Sequence, residues 1–409
     1  MPKPSASTDS LPPPIVVDDD RGLARMLEAV DGEREVAVDT EGDSFYHYEE
    51  RVCLVQVSAG GRDWVVDPLA ELDLRPFGAL LADPGVTKIF HDGEYDVRIL
   101  KRNYGFSFAG LFDTRVAAAA LGYESPGLAA VVEKWFGVEL DKSLQRSNWS
   151  RRPLSDSQID YARLDTHFLI ELKRHMLGEL EQRGRTMVVE GECRRLEDLE
   201  PVERPFQPDE FLRLKGARAL SLQQMQALRE LYVLRDKLAR ERDVPPFKVL
   251  GNPTIVDLAK VQPQTLRQLE RARLSPKLIK RFGSAILGAI KRAKRAGPLP
   301  RVPRLPPRDP SAQLDEPSVE LHERLKNWRK TTARAQDMDA SLVLNRHVLT
   351  RLAQQRPEST QALDEVDGLL AWQIELFGDE LLDVVGRFQR DVASGKLVFD
   401  GKPRRRGRR

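Results

Sequence analysis

The sequence predicts an α/β domain built on a mixed sheet, followed by two all-α helical domains. Three observations carry this. Between Arg34 and Asp67 the chain reads as short valine-rich runs bounded by Gly and Asp, which is strand punctuation. From about Glu210 onward apolar residues recur at helical spacing with no convincing strand. Residues 239–263 also align without gaps on residues 333–357, at an offset of 94. The 409 residues are enough for several domains, at roughly 100 to 200 residues each. With 41% apolar and 31% charged residues, the composition is that of a globular protein, which excludes fibrous, disordered and disulfide-stapled classes.

In chain order, residues 1–14 are expected to be a disordered tail, because MPKPSASTDSLPPP has no apolar stretch. Strands are expected at EVAVD (35–39), RVCLVQVS (51–58) and DWVVDP (63–68), the last two joined by a Gly-Gly turn. VTKIF (86–90) reads as a strand leading into a helix around Glu94–Lys101, and FDTRVAAAALGY (112–123) as a short strand leading into another. Strands that meander first and then alternate with helices make a mixed sheet. One long helical pattern runs from Ser155 to Leu177. Ser155 and Gln158 form a capping box, each side chain meeting the other residue's free amide. The expected domains are 15–185 for the α/β part, 186–208 for a connector and 209–297 for the first helical module. A proline-rich linker (298–317), a second module (318–392) and a basic tail (393–409) follow.

The helical modules are copies of one unit. Ala239/Ala333, Arg240/Arg334, Asp243/Asp337, Val249/Val343, Leu250/Leu344, Leu258/Leu352, Ala259/Ala353 and Pro263/Pro357 are identical across the offset. Chance helical matches rarely keep register that long. The linker's seven prolines make an extended, semi-rigid spacer. The net charge of +2 hides −13 over residues 1–204, +12 over 205–297, −3 over 318–392 and +6 over 393–409. That asymmetry points to a nucleic-acid partner. Cys53 and Cys193 lie far apart with no Cys/His cluster, which suggests neither a disulfide framework nor a structural zinc site and fits a reducing cytosol. No window approaches a membrane span of about 18 apolar residues.

Asp39 and Glu41 end the first of these strands two residues apart, so both face one side of the sheet. Two adjacent carboxylates repel, which is tolerable if water solvates both or if a divalent cation sits between them. Asp96 falls in the first turns of the helix after VTKIF, where the helix dipole favours acids. Tyr161 and Asp165 are four apart on the long helix and share a face.

In this order, the acids resemble a DEDD-type 3′ to 5′ exonuclease of the subgroup with tyrosine. WSRRPLSDSQIDYARLD, with Trp149, Arg152-Pro153-Leu154 and Gln158 ahead of Tyr161, resembles the third motif of the ribonuclease D family. KIFHDGEYDVRIL, including His91, resembles its second, and FDT (112–114) sits where the family has it. The repeats resemble HRDC domains, RDVPPFKVL being typical of the first. Many family members place an aromatic residue directly after the Asp-x-Glu, whereas here Gly42 follows, with Phe45 and Tyr46 just beyond.

The resemblance implies a ribonuclease H-like fold and a metal-dependent exoribonuclease that releases nucleoside 5′-monophosphates from RNA 3′ ends, in tRNA 3′ processing or RNA turnover. It implies Asp39, Glu41, Asp96, Tyr161 and Asp165 as catalytic residues. The four acids would hold two divalent cations, Mg²⁺ or Mn²⁺, about 3.5 to 4 Å apart. Tyr161 would orient the attacking water. Candidates for substrate contact are Thr40 and His91 beside the acids, and Lys248, Lys277, Lys280 and Arg281 in the +12 module. The expected partner is a single-stranded RNA 3′ end, with no membrane and no obligate protein partner, in a bacterial type of cytoplasm. Removing residues 318–409 is expected to affect substrate selection more than cleavage. Two rivals share the fold: a DNA-directed exonuclease of the same type, since the acids do not read the 2′-hydroxyl, and a catalytically silent RNA-binding scaffold, which would be expected to have lost one or more of the acids, whereas none is missing here.

Overall fold

A computed structural model describes residues 11–201, 205–272, 274–305 and 314–399. The expected N-terminal tail, the proline-rich linker and the basic tail each lie partly outside these residues. The chain divides into two units. One comprises the chain up to Glu41, Val52–Pro201 and the chain from Pro307 on; the other comprises Gly42–Arg51 and Val202–Pro306.

The first unit opens with β1 (Ile15–Val17) and α1 (Asp20–Val30), two elements beyond those expected from the sequence. Asp19 caps α1, its carboxylate accepting from the Gly22 amide at 2.6 Å. Next come β2 (Glu35–Gly42), β3 (Val52–Ala59), β4 (Arg62–Val66), α2 (Arg75–Ala82), β5 (Thr87–Phe90), α3 (Glu94–Tyr104), β6 (Leu111–Asp113) and α4 (Thr114–Ala120). They are followed by α5 (Leu128–Phe136), α6 (Asp156–His167), α7 (Leu169–Gln182) and α8 (Thr186–Glu197). The six strands form one mixed sheet in the order β1-β4-β3-β2-β5-β6. β1/β4, β2/β5 and β5/β6 are parallel and β3/β4 is antiparallel. β3 is buried along its whole length, as a central strand covered on both faces must be.

Two expectations need correction. The single helix expected from Ser155 to Leu177 is divided at Phe168. The phenylalanine turns into a small cluster with Val132, Val138 and Phe136. After it, α7 presents Leu169, Leu172, Met176 and Leu180 to a different core from the one that holds Ala162. A continuous helix would have to serve both cores along one stripe. The 186–208 connector begins instead as α8, whose Val188, Val189 and Cys193 are buried in that second core.

The second unit holds α9 (Leu222–Arg240), α10 (Pro246–Val249), α11 (Asn252–Val261), α12 (Leu266–Arg271) and α13 (Pro276–Ala296). They pack around Leu228, Leu231, Ile255, Leu258, Phe282, Ile286 and Ile290. Residues 42–51 belong to this unit. The Tyr48 hydroxyl donates to Asp236 at 2.5 Å, and its amide donates to Asp243 at 3.0 Å. His47 meets the other Asp243 oxygen at 2.6 Å, and Lys248 stands 3.9 Å over the Tyr46 ring.

The second helical module consists of α14 (Glu316–Ala335), α15 (Ala340–Val343), α16 (Arg346–Gln355), α17 (Thr360–Asp364) and α18 (Ala371–Ala393). The repeat is structural: α15 and α16 start and end 94 residues after α10 and α11. Asp243 and Asp337 both take φ of 45°, and Gln262 and Arg356 take 48° and 52°. This module lies in the first unit and shares one apolar core with it. Ala117 to Ala120, Leu172, Met176 and Val188 are joined there by Leu342, Val343, Trp372 and Phe377. The Asp339 amide donates to the Ala119 carbonyl at 3.0 Å, and Arg185 donates to the carbonyls of Ala120 and Asp337 at 2.6 and 2.9 Å. A methyl group added at Gly191 would overlap the Trp372 indole. Because this core is shared, deleting the module should cost stability in addition to the effect on substrate selection expected from the sequence. Among the described residues no helix is long and apolar enough to cross a membrane.

Candidate active site

Each acid is placed by an identifiable local device. Asp39 and Glu41 end β2 on one face, as strand alternation requires. Thr40, between them, is buried and donates its hydroxyl to Asp96 at 2.5 Å. Asp96 sits in the first turn of α3. The turn before α3 is fixed by the FDT residues. Asp113 accepts from the amides of Asp92 and Gly93 at 3.1 and 2.8 Å while capping α4 through Arg115 and Val116. The Thr114 hydroxyl donates to the Phe90 carbonyl at 3.0 Å.

Tyr161 and Asp165 ride on α6, whose capping box is complete: Ser155 accepts from the Gln158 amide and Gln158 from that of Ser155. The residues before it are fastened by Arg152. Its guanidinium grips Asp67 with two bonds at 2.5 and 2.6 Å and donates to the carbonyls of Cys53 and Trp149 at 2.8 and 2.7 Å. Trp149, 1% exposed, packs against Tyr161 with ring centroids 5.9 Å apart. The motif around Arg152 is thus a brace for the tyrosine.

The acids share one electrostatic environment. Removal from water, and then the charges of Asp96, Asp165 and Glu41, hold the Asp39 carboxyl well above the usual carboxylate range. Burial followed by Asp165 and Asp96 pushes Glu41 to about 9. Asp96 and Asp165 are raised to about 7, each chiefly by burial, against which the Thr40 hydroxyl lowers Asp96. The Tyr161 phenol is raised by burial and by Asp165, Glu41 and Asp39. Asp39, Glu41 and Asp165 keep part of their surface open, whereas Asp96 is 5% exposed. Among the described residues no three acidic, histidine or cysteine side chains close around one point. The carboxyl groups are gathered at electrostatic range and not drawn into a finished coordination shell. Hard oxygen donors held together against their repulsion are nevertheless the donor set that suits Mg²⁺ or Mn²⁺.

The candidates for substrate contact fall in three places. Thr40 is committed to Asp96. His91 faces the Thr114 hydroxyl at 2.9 Å, its Nε2 enclosed, and burial lowers it to about 4, so it stays neutral. Lys248, Lys277, Lys280 and Arg281 are exposed in the second unit, Lys248 against Tyr46 and Arg281 beside Phe282. Sequence reasoning missed Arg152 and Asp67 as partners, since 85 residues separate them. Asp43, a further acid close to the Asp-x-Glu pair, is fully buried, accepts from the Arg51 amide at 2.8 Å and ties off the 42–51 loop.

The chain is similar to known proteins over most of its length. A family model described as 3′-5′ exonuclease matches residues 14–181, and one for the HRDC domain matches residues 224–290 and 318–385. Ribonuclease D of Acidiphilium cryptum is 31% identical over 95% of this chain and 97% of its own. Ribonuclease D of Escherichia coli is 31% identical over 68% of this chain and 74% of its own. The crystal structure of Escherichia coli RNase D, an exoribonuclease involved in structured RNA processing, superposes with a TM-score of 0.65 at 25% identity, covering 91% of this chain and 99% of that one. The catalytic core of RRP6 from Trypanosoma brucei gives 0.66 at 28% identity, covering 73% and 84%. Full-length similarity of this kind, on top of four gathered acids, a braced tyrosine and a duplicated helical module, means that the chain belongs to the ribonuclease D family.

Proposed function

We propose that this chain is a 3′ to 5′ exoribonuclease that removes nucleoside 5′-monophosphates from RNA ends, in tRNA 3′ processing or RNA turnover. Asp39, Glu41, Asp96 and Asp165 hold two divalent cations, Mg²⁺ or Mn²⁺. The observation that carries this reading is the gathering of these four acids by β2, α3 and α6 in a chain that is similar to ribonuclease D along its length. Burial together with repulsion from neighbouring carboxylates raises the proton affinity of all four. Carboxyls stabilised by arginine or lysine would move the other way. When bound, the cations supply an activated nucleophile and neutralise charge on the phosphate.

The rest of the work belongs to the side chains. Asp39 and Glu41 give up their protons to bind, so loading strengthens as pH rises. Thr40 holds one Asp96 oxygen and limits how that carboxyl can turn. Tyr161 keeps its proton at any working pH, so it acts as a hydrogen-bond donor that orients the attacking water or the scissile phosphate, not as a base. The site itself repels phosphate, and the surface that attracts it is assigned to the basic module, with Lys277, Lys280 and Arg281 on the first turns of α13. The test is incubation of the purified chain with 5′-labelled and 3′-labelled RNA and DNA in Mg²⁺, Mn²⁺ or EDTA. Stepwise metal-dependent shortening of RNA from the 3′ end is expected. Internal cuts, or action on DNA alone, would reject the assignment.

A further inference from the structure

β3 carries a row of polar side chains on one face, and that face lies under α6. The antiparallel register sets Gln56 opposite Val65 and Ser58 opposite Asp63, so these four residues point the same way. Val65 and Leu54 pack with Trp149, Ala162 and Tyr161, which identifies the element above them as α6. The opposite face of β3, with Val55, Val57 and Ala59, is wholly apolar.

Two of the three polar positions have clear partners. Ser58 donates to Asp63 at 2.7 Å and meets the Thr166 hydroxyl, also at 2.7 Å. Asp63 in turn meets His167 Nδ1 at 2.8 Å. Thr166 and His167 directly follow Asp165, so this network fastens the end of the turn that bears the acid. Gln56 comes one step earlier on the same face, between the residues that pack Tyr161 and those that bond Thr166. It is 0% exposed, and neither its amide nitrogen nor its amide oxygen has a hydrogen-bond partner among the described residues. A buried amide left unmet is costly, and a methionine or leucine would fill the same space without that cost.

We propose that Gln56, together with the Ser58–Thr166 pair, is a positioning residue of the active site. It sets where α6 lies on the sheet, and with it Tyr161 and Asp165. Apolar packing between a helix and a sheet has little directional preference, whereas hydrogen-bonding groups have a preferred geometry and fix one placement. The Gln56 amide serves this role through a bond formed with the loaded site or through a bridging water, in place of an apolar neighbour. The inference rests on the nuclease reading above.

The test uses full-length protein carrying Gln56→Met, and separately Thr166→Val. Three quantities are measured: melting temperature without metal, Mn²⁺ affinity by calorimetry, and kcat and KM on a labelled RNA well below the melting point. For Gln56→Met the expected result is an unchanged or higher melting temperature, weaker Mn²⁺ binding, an unchanged KM and a kcat lower by about ten- to a hundredfold. Thr166→Val should move Mn²⁺ affinity and kcat in the same direction. An unchanged kcat and Mn²⁺ affinity in Gln56→Met overturns the proposal, and so does a change confined to KM. If the unmodified chain fails to shorten RNA, the nuclease reading falls, while the Mn²⁺ comparison still decides whether Gln56 positions the acids.

Discussion

A carboxyl group surrounded by other carboxyl groups and shielded from water holds its proton more tightly than it would in the unfolded chain. Asp39, Glu41, Asp96 and Asp165 are all in that position. The sign of the consequence is fixed. Below about pH 4 these groups are protonated in both folded and unfolded chains and cost nothing. As pH rises, the unfolded chain ionises first, so the metal-free protein loses stability until the folded groups titrate, near 7 for Asp96 and Asp165 and near 9 for Glu41. The metal-free melting temperature should therefore fall by several degrees between about pH 5 and about pH 9, and Mg²⁺ or Mn²⁺ should largely abolish the fall. Thermal melts across that range, with and without metal, check this; a flat metal-free profile would contradict it. Asp39→Asn relieves the same repulsion, so it should raise the metal-free melting temperature at pH 8 while lowering nuclease turnover by at least about a thousandfold. A two-residue spacing on a strand and a four-residue spacing on a helix fix only the shared faces of Asp39 with Glu41 and of Tyr161 with Asp165. The acids and Tyr161 as a set could be singled out from the sequence through their resemblance, taken in order, to DEDD-type exonucleases. The roles of Thr40 and His91 could not, because their commitments are to Asp96 and Thr114, residues brought near by folding.

At the scale of elements, the site depends on loops whose roles appear only once distant strands meet. The residues around Arg152 carry no chemistry of their own, yet its guanidinium joins Asp67 at the end of β4 to the carbonyl of Cys53 on β3 and holds Trp149 against Tyr161. Arg152→Ala leaves the Asp67 carboxylate, which is 14% exposed, without its partner. Breaking such a pair costs about 3 kcal/mol, and the variant should also lose turnover because the tyrosine's support is gone. Arg152→Lys keeps the charge but not the two-pronged grip, so it should recover stability more than activity. Chemical denaturation alongside turnover measurements separates the two effects, and full rescue by lysine would show that charge alone matters. The strands β2 to β5 and the helix α6 with its capping box were legible because each follows from local pattern. The break at Phe168 and the burial of α8 were not, because both are decided by which of two cores a side chain can reach.

At the scale of the molecule, one small helical unit was used twice and turned to two ends. In the first copy, α13 carries Lys277, Lys280, Arg281, Lys291, Arg292, Lys294 and Arg295; in the second, α18 carries Glu375, Asp379, Glu380 and Asp383 along its exposed side. The aspartate at the matched corner also changes service. Asp243 holds the 42–51 loop through its side chain, whereas Asp337 receives Arg185 on its backbone carbonyl and Arg183 on its carboxylate. The sequence repeat revealed the two copies, and the charge split separated a basic one from an acidic one, but nothing local said that the second is built into the catalytic core. That difference sets a contrast between two kinds of variant. Replacing Lys277, Lys280 and Arg281 by alanine should leave the melting temperature within a degree or two and weaken RNA binding. On a single strand, the salt slope should become shallower by about 0.7 for each phosphate no longer neutralised. Trp372→Ala should do the opposite: it empties a buried site against Gly191 and costs about 3 to 5 kcal/mol without touching an exposed cation. Turnover at low temperature should survive in Trp372→Ala and collapse early on heating, whereas the triple variant should show normal heat resistance and a raised KM. Melting curves paired with salt-dependent binding measurements decide between them. If Trp372→Ala raised KM without lowering the melting temperature, the second module would be an RNA-binding surface and not part of the core that holds the acids in place.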